Sequence, residues 1–203
     1  MMILWKQKLT VFAVPKTGTT AIHQAIAPYS DIQYLNPPQA KHMNVRKYNR
    51  FMRKYLHSIG DDIFETVAVI REPISWLGSW YRYRQRPDLD RSKKSTKNIS
   101  FDDFVLGYLQ IDNRPDYAAI GGQAAFLCPE DGELGVDYLF AYERISELIR
   151  FLEDRIGRKL DVPAVNVSPP RQLHLSADID LRLRQALAAD FALHASVSSR
   201  AGN

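Results

Sequence analysis

Along the chain, short apolar runs alternate with stretches whose apolar residues recur every three or four positions. Lys8 to Val14 is a short apolar strand, followed by a turn at Pro15 to Gly18 and a helix from about Thr19 to Ala27. Ile32 to Leu35 is a candidate second strand. Tyr48, Phe51, Met52, Tyr55 and Leu56 then recur at helical spacing on one face and are assigned to the core. Phe64 to Ile70 is β-branched and largely apolar, which suits a central strand buried on both faces, as in a parallel sheet. Pro73 fits the first turn of the next helix, which carries Trp76, Leu77, Trp80 and Tyr81 and fades near Pro87. Arg82 to Lys97 is polar and predicts an exposed basic loop. Ser100 and Asp103 form a capping-box-like start for a helix over Phe101 to Leu109. Val136 to Ala141 is another strand, and Ile145, Leu148, Ile149, Leu152 and Ile156 mark an amphipathic helix behind it. A last helix is expected from about Ala177 to His194, behind Ser176. Strand, turn and helix in alternation predict an α/β fold, with residues 1–203 as one domain.

Composition agrees with that pattern. The chain has 203 residues, 45% of them hydrophobic and 25% charged, enough for a sizeable core and incompatible with a disordered or collagen-like chain. No apolar stretch approaches the roughly 20 residues of a membrane helix, so no membrane span is expected. Met1 to Lys8 is short and interrupted by Lys6 and Lys8, unlike a secretory signal, and the chain is read as cytoplasmic. Cys128 is the only cysteine; it allows no internal disulfide and no zinc site of paired cysteines, and is expected to be a buried structural thiol. Twenty-seven Lys and Arg against twenty-three Asp and Glu give a formal charge of +4, which suits any anionic partner and selects none.

Two segments carry candidate chemistry. The first is Pro15-Lys16-Thr17-Gly18-Thr19-Thr20, between the first strand and the first helix. A glycine there lets the backbone wrap closely, and N–H groups at the helix start and the three threonine hydroxyls can donate to an anion. Lys16 adds positive charge. A plain turn with threonine caps is the alternative. A nucleotide-triphosphate P-loop ends in Gly-Lys-Ser/Thr, whereas here Lys16 precedes Gly18. The second segment is Arg71-Glu72-Pro73 with Ser79 eight residues after the arginine. Arg71 stands where the central strand ends, the edge at which ligand crevices form in parallel sheets, and its guanidinium fork suits a phosphate monoester. The alternatives are a salt bridge for Arg71 and an uninformative helical serine for Ser79.

Together these segments resemble the sulfotransferases that use 3′-phosphoadenosine-5′-phosphosulfate. Pro15 to Thr20 is similar to that family's 5′-phosphosulfate loop, and Arg71 with Ser79 to its 3′-phosphate motif; Tyr142-Glu143, after a strand and before an amphipathic helix, matches a Tyr-Glu pair of the family. The resemblance spans about Leu9 to Phe191 and rests on these short motifs. It implies a three-layer α/β/α fold with a central parallel sheet, P-loop-like, closest to a soluble, bacterial-like member of the carbohydrate-type branch. It further implies transfer of a sulfuryl group from 3′-phosphoadenosine-5′-phosphosulfate to a hydroxyl, with an amine as second choice, of a small-molecule or glycan acceptor. Adenosine 3′,5′-bisphosphate would be the product. Such a loose, in-line transfer needs positioning and charge neutralisation, which Lys16 and the loop N–H groups would supply, and it requires no bridging metal.

His42, after the second strand, lies where the carbohydrate branch often has its catalytic base, and a neutral imidazole suits that task. His23, His57, His174 and His194 have weaker claims, and Glu65, Glu72 and Glu143 are the carboxylate alternatives. The family's cytosolic branch has a C-terminal Gly-rich loop that covers the donor, which is not found here; Asn166 to Arg171 lies at about that point, with Arg171 as a substitute contact. Arg82 to Lys97 is either an acceptor-facing rim or a solvated loop; Asp88 and Asp90 interrupt it and no nucleic-acid-binding motif accompanies it, so nucleic acid is disfavoured. The competing functions are a nucleotide-dependent phosphotransferase, which would need magnesium, and a non-catalytic nucleotide-binding module.

Overall fold

A computed structural model describes residues 1–60, 63–129, 132–163 and 173–199. The chain is a mixed α/β protein around a five-stranded sheet of order β3-β1-β2-β4-β5. The strands are β1 (Met2–Leu4), β2 (Leu9–Val11), β3 (Ile32–Gln33), β4 (Glu65–Ile70) and β5 (Tyr138–Ala141). The sheet is not wholly parallel, as the sequence had suggested. β2, β4 and β5 are parallel, but β1 runs antiparallel to both of its neighbours. β1 and β2 are joined by a tight turn with Lys8 at φ 51°, and so short a connection permits only an antiparallel pair. β1 escapes a reading of the sequence because Met1 and Ile3 are buried on one face and Met2 and Leu4 on the other, leaving no polar position to mark a period.

The helices are α1 (Thr19–Ile26), α2 (Pro38–Lys41), α3 (Val45–Lys47), α4 (Arg53–Gly60), α5 (Pro73–Tyr83), α6 (Phe101–Leu109), α7 (Gln123–Leu127), α8 (Ile145–Ile156), α9 (Ala177–Ala186) and α10 (Ala188–Ser198). A π-helical turn, Tyr48–Met52, joins α3 to α4. Helices cover both faces of the sheet. Val67 and Val69 of β4 pack with Ile22 and Ile26 of α1 and Leu148 and Leu152 of α8; Ala68 and Ile70 pack with Tyr48, Met52, Leu56 and Phe126. Each such fully buried aliphatic side chain stabilises by roughly 1.5–3 kcal/mol. A third apolar cluster, off the sheet, joins Trp76, Leu77 and Tyr81 of α5 to Phe104 and Val105 of α6 and Ile179 and Leu183 of α9.

Four expectations change. Phe51 and Tyr55, assigned to the core, are 58% and 54% exposed; the π-helical turn shifts the helical face, so that Tyr48, Met52 and Leu56 alone turn inward. The last helix is two, broken at Leu187 (φ −107°, ψ 28°), because Leu183 must face the α6 cluster while Val197 faces the sheet. Cys128 is half-buried rather than buried, at the end of α7. The basic stretch 82–97 is not simply a solvated loop: Arg84 is buried and donates to the carbonyls of Asp116 and Ala119, at 2.6 and 3.2 Å.

Candidate functional site

The topology brings the chemistry-bearing segments to one edge. β3, separated from β2 by an antiparallel strand, runs in the same direction as β2, β4 and β5. The chain segments leaving these four strands therefore meet at the same rim: Pro15 to Gly18, His42, Arg71 and Tyr142-Glu143. This is the edge where crevices form in α/β sheets.

The loop after β2 is a compound tight turn. Lys16 has φ 66° and Gly18 φ 73°, two left-handed residues on either side of Thr17. Left-handed backbone costs a side-chain-bearing residue about 1–2 kcal/mol, so Lys16 is held by its surroundings. Those are visible: Trp76 Nε1–H donates to the Pro15 carbonyl at 2.8 Å, and an Arg71 terminal nitrogen donates to the Lys16 carbonyl at 3.3 Å. The Thr17 hydroxyl is buried and donates to the Val14 carbonyl at 2.9 Å, so it secures the turn instead of offering its proton to a ligand. Thr19 and Thr20 begin α1, and their hydroxyls have no hydrogen-bond partner among the described residues.

Arg71 is anchored at every level. Its backbone N–H donates to Gln123 Oε1 at 2.9 Å and its carbonyl accepts from Gln123 Nε2 at 2.8 Å, a two-point clamp on the end of β4. Gln123 is itself fixed, because Asp190 of α10 accepts from its backbone N–H at 2.9 Å and from that of Ala124 at 3.2 Å. The Arg71 guanidinium stacks on Tyr142, 4.3 Å from ring centre, and donates through Nε to Ser75 Oγ at 2.9 Å. Its five N–H donors, less the one given to Ser75 and the one given to the Lys16 carbonyl, leave three for a ligand. Ser79 is one turn beyond Ser75 on the same helical row, 5% exposed, with no hydrogen-bond partner among the described residues.

Charge accumulates here. Lys16 Nζ lies 4.3 Å from the Tyr83 ring centre and 5.8 Å from that of Trp80. Desolvation, reinforced by Arg86, Arg71 and Arg82, lowers its pKa to about 8. Desolvation likewise holds the Arg71 pKa below its usual value. Neither Lys16 nor Arg71 has a carboxylate ion-pair partner among the described residues. Glu143 and Glu72 favour the charged Arg71 through space, but their carboxylates hydrogen-bond elsewhere. Glu72 caps α5 through Ser75 N–H at 2.7 Å; Glu143 accepts from the Glu72 N–H at 3.0 Å and contacts His194 at 3.0 Å.

His42 sits at this rim with Nδ1 2.6 Å from the Ala13 carbonyl, two residues before Pro15. A carbonyl only accepts, so Nδ1 carries the hydrogen and Nε2 keeps the basic lone pair. Burial, only partly offset by that hydrogen bond, lowers the His42 pKa, keeping the ring neutral at pH 7. The other candidates differ. His23 is buried on α1 without a partner for either ring nitrogen among the described residues, and burial lowers its pKa to about 3. Glu65 lies at the opposite edge of the sheet, paired with Arg155 and Tyr138. His57 and His174 are exposed. Arg171 lies outside the described residues.

Ser75, Trp76, Gln123 and Asp190 position this site without any motif to announce them. Only Ser75 carried a signal, four residues after Arg71 and so within side-chain reach of it across one helical turn. Comparison with family models, curated proteins and solved structures returns no match.

Proposed function

We propose that the chain is a sulfotransferase that uses 3′-phosphoadenosine-5′-phosphosulfate and acts on a hydroxyl of a small-molecule or glycan acceptor. The observation that carries this reading is the pair Lys16 and Arg71. Two half-buried cations stand at the ends of adjacent strands, with two further arginines close by, and neither forms an ion pair with a carboxylate among the described residues, Glu143 and Glu72 acting on Arg71 only through space. Burying like charges side by side is unfavourable unless an anion joins them. A nucleotide with anionic groups at both its 3′ and 5′ positions answers that need.

In this reading the N–H groups at the start of α1, the hydroxyls of Thr19 and Thr20 and the Lys16 ammonium bind the 5′-phosphosulfate. The free N–H donors of Arg71 and the Ser79 hydroxyl bind the 3′-phosphate. Pro15, Thr17 and Gly18 shape the loop. The donor supplies an electrophilic sulfur and a phosphate leaving group. His42 Nε2 takes the acceptor's proton as the acceptor oxygen bonds to sulfur, and Lys16 neutralises the charge that builds on the departing phosphate.

The test is a thermal-shift titration with adenosine 3′,5′-bisphosphate, AMP and ATP. The bisphosphate is expected to stabilise most, by about 2.7 kcal/mol at a hundred times its Kd. Arg71→Ala should remove its advantage over AMP. Equal responses to AMP and the bisphosphate would refute the 3′-phosphate site, and a magnesium-dependent preference for ATP would support a phosphotransferase instead.

A further inference from the structure

A second feature lies on the helix layer and does not depend on the sulfotransferase reading. Residues 32–60 contain six Lys and Arg (Lys41, Arg46, Lys47, Arg50, Arg53, Lys54) and neither Asp nor Glu. The whole chain is only +4, so this +6 stretch and the basic stretch 82–97, at +5, stand out from an otherwise acidic chain. Most of these cations ride on the helical stretch from Val45 to Gly60 formed by α3, the π-helical turn and α4, and Lys47, Arg50, Arg53 and Lys54 are exposed.

The same stretch is apolar on two faces. Val45, Tyr48, Met52 and Leu56 enter the core. Phe51, Tyr55 and Ile59, spaced four apart, form a second row that is 58%, 54% and 51% exposed, and Ile63 beyond them is 86% exposed. Arg50 lies 5.1 Å from the centre of the Phe51 ring, so cation and aromatic share the surface. Folding gains nothing from a water-facing row of this kind, and a row of large apolar groups edged by cations is the pattern of an interfacial helix.

We propose that this face of α3–α4 docks onto an anionic lipid bilayer surface, with Phe51, Tyr55 and Ile59 at the headgroup boundary and the flanking Lys and Arg on acidic headgroups. Charge and apolarity together choose this occupant. A dissolved polyanion would use the cations and leave the apolar row wet. A second copy of the chain would use the row but set two strongly basic faces against each other.

Co-sedimentation of the full chain with vesicles tests this, using phosphatidylcholine alone or with about a third phosphatidylglycerol. Binding should require the anionic lipid and weaken with added salt. The pair Lys47→Glu and Lys54→Glu should lower affinity by at least about tenfold, since each surface cation contributes roughly fivefold. Phe51→Ser with Tyr55→Ser should weaken binding at low salt as well. A fluorophore on Ser58→Cys, within the exposed face, should blue-shift with anionic vesicles only, which keeps the test open should a double variant fold poorly. Three results would overturn the proposal: no binding to anionic vesicles; binding that survives both double variants; or a concentration-dependent dimer that Phe51→Ser with Tyr55→Ser abolishes, which would assign the row to a second copy.

Discussion

Replacing Lys16 by Met should make the ligand-free protein more stable while abolishing its response to the nucleotide. The pKa of Lys16 falls from the ordinary 10.5 to about 8, because its ammonium is desolvated beside Arg86, Arg71 and Arg82. At about 1.4 kcal/mol per pH unit, holding that charge in the folded state costs roughly 3 kcal/mol. Methionine keeps the stem packed on Trp80 and Tyr83 and removes the charge. It also loses the cation–ring attraction, about 0.5–1 kcal/mol, and solvent screens part of the repulsion, so the net gain at pH 7 is about 1–2 kcal/mol. The sign with pH is fixed. Below pH 8 both folded and unfolded wild type carry the ammonium, and the penalty is present in full. Between pH 8 and 10.5 the folded state sheds its proton first, wild-type stability rises, and the advantage of Lys16→Met shrinks. Urea unfolding of both proteins at pH 7 and pH 9.5 measures this, with and without adenosine 3′,5′-bisphosphate. A variant less stable than wild type at pH 7, by an amount that does not change at pH 9.5, would refute the reasoning.

Gly18→Ala meets two obstacles, a left-handed φ of 73° and a Tyr142 ring atom 3.0 Å from the new methyl. It should cost about 1 kcal/mol in urea unfolding and weaken bisphosphate binding, because the displaced ring also stacks on Arg71. Asp190→Asn keeps an oxygen for the Gln123 and Ala124 N–H groups and removes a carboxylate whose pKa burial raises, so it should be neutral or stabilising at pH 7, whereas Asp190→Ala should cost about 1–2 kcal/mol. With an acceptor in hand, His42→Gln should lose turnover with little change in bisphosphate affinity. The acidic limb of the wild-type kcat/KM profile should lie below the ordinary histidine value of about 6.5, since burial lowers the His42 pKa; a limb above that value would assign the base elsewhere.

Much of the fold was legible because its signals are local. The strand–turn–helix at Pro15 to Gly18, the continuous apolarity of β4, the Ser100 cap of α6 and the heptad-like spacing of α8 each depend on neighbours in sequence. β1 was lost because three residues buried on both faces have no period. Phe51 and Tyr55 were misassigned because a π-helical turn rotates a face without altering the spacing of its residues.

For the site, the sequence by itself pointed to Lys16 and Gly18 in a strand-to-helix turn and Arg71 at a strand end as residues that could hold an anion, and to His42, after the second predicted strand, as a base. It could not determine that they share a rim. That follows from four strands running the same way, which is a property of pairing across the sheet. Nor could it show that Thr17 turns inward to Val14, that Gln123 and Asp190 brace Arg71 from helices fifty and more residues away, or that Arg84 ties down the carbonyls of Asp116 and Ala119 in the segment before α7. Hydrogen bonds and ion pairs depend on distances of a few ångströms between residues far apart in sequence, and those distances exist only once the chain has packed.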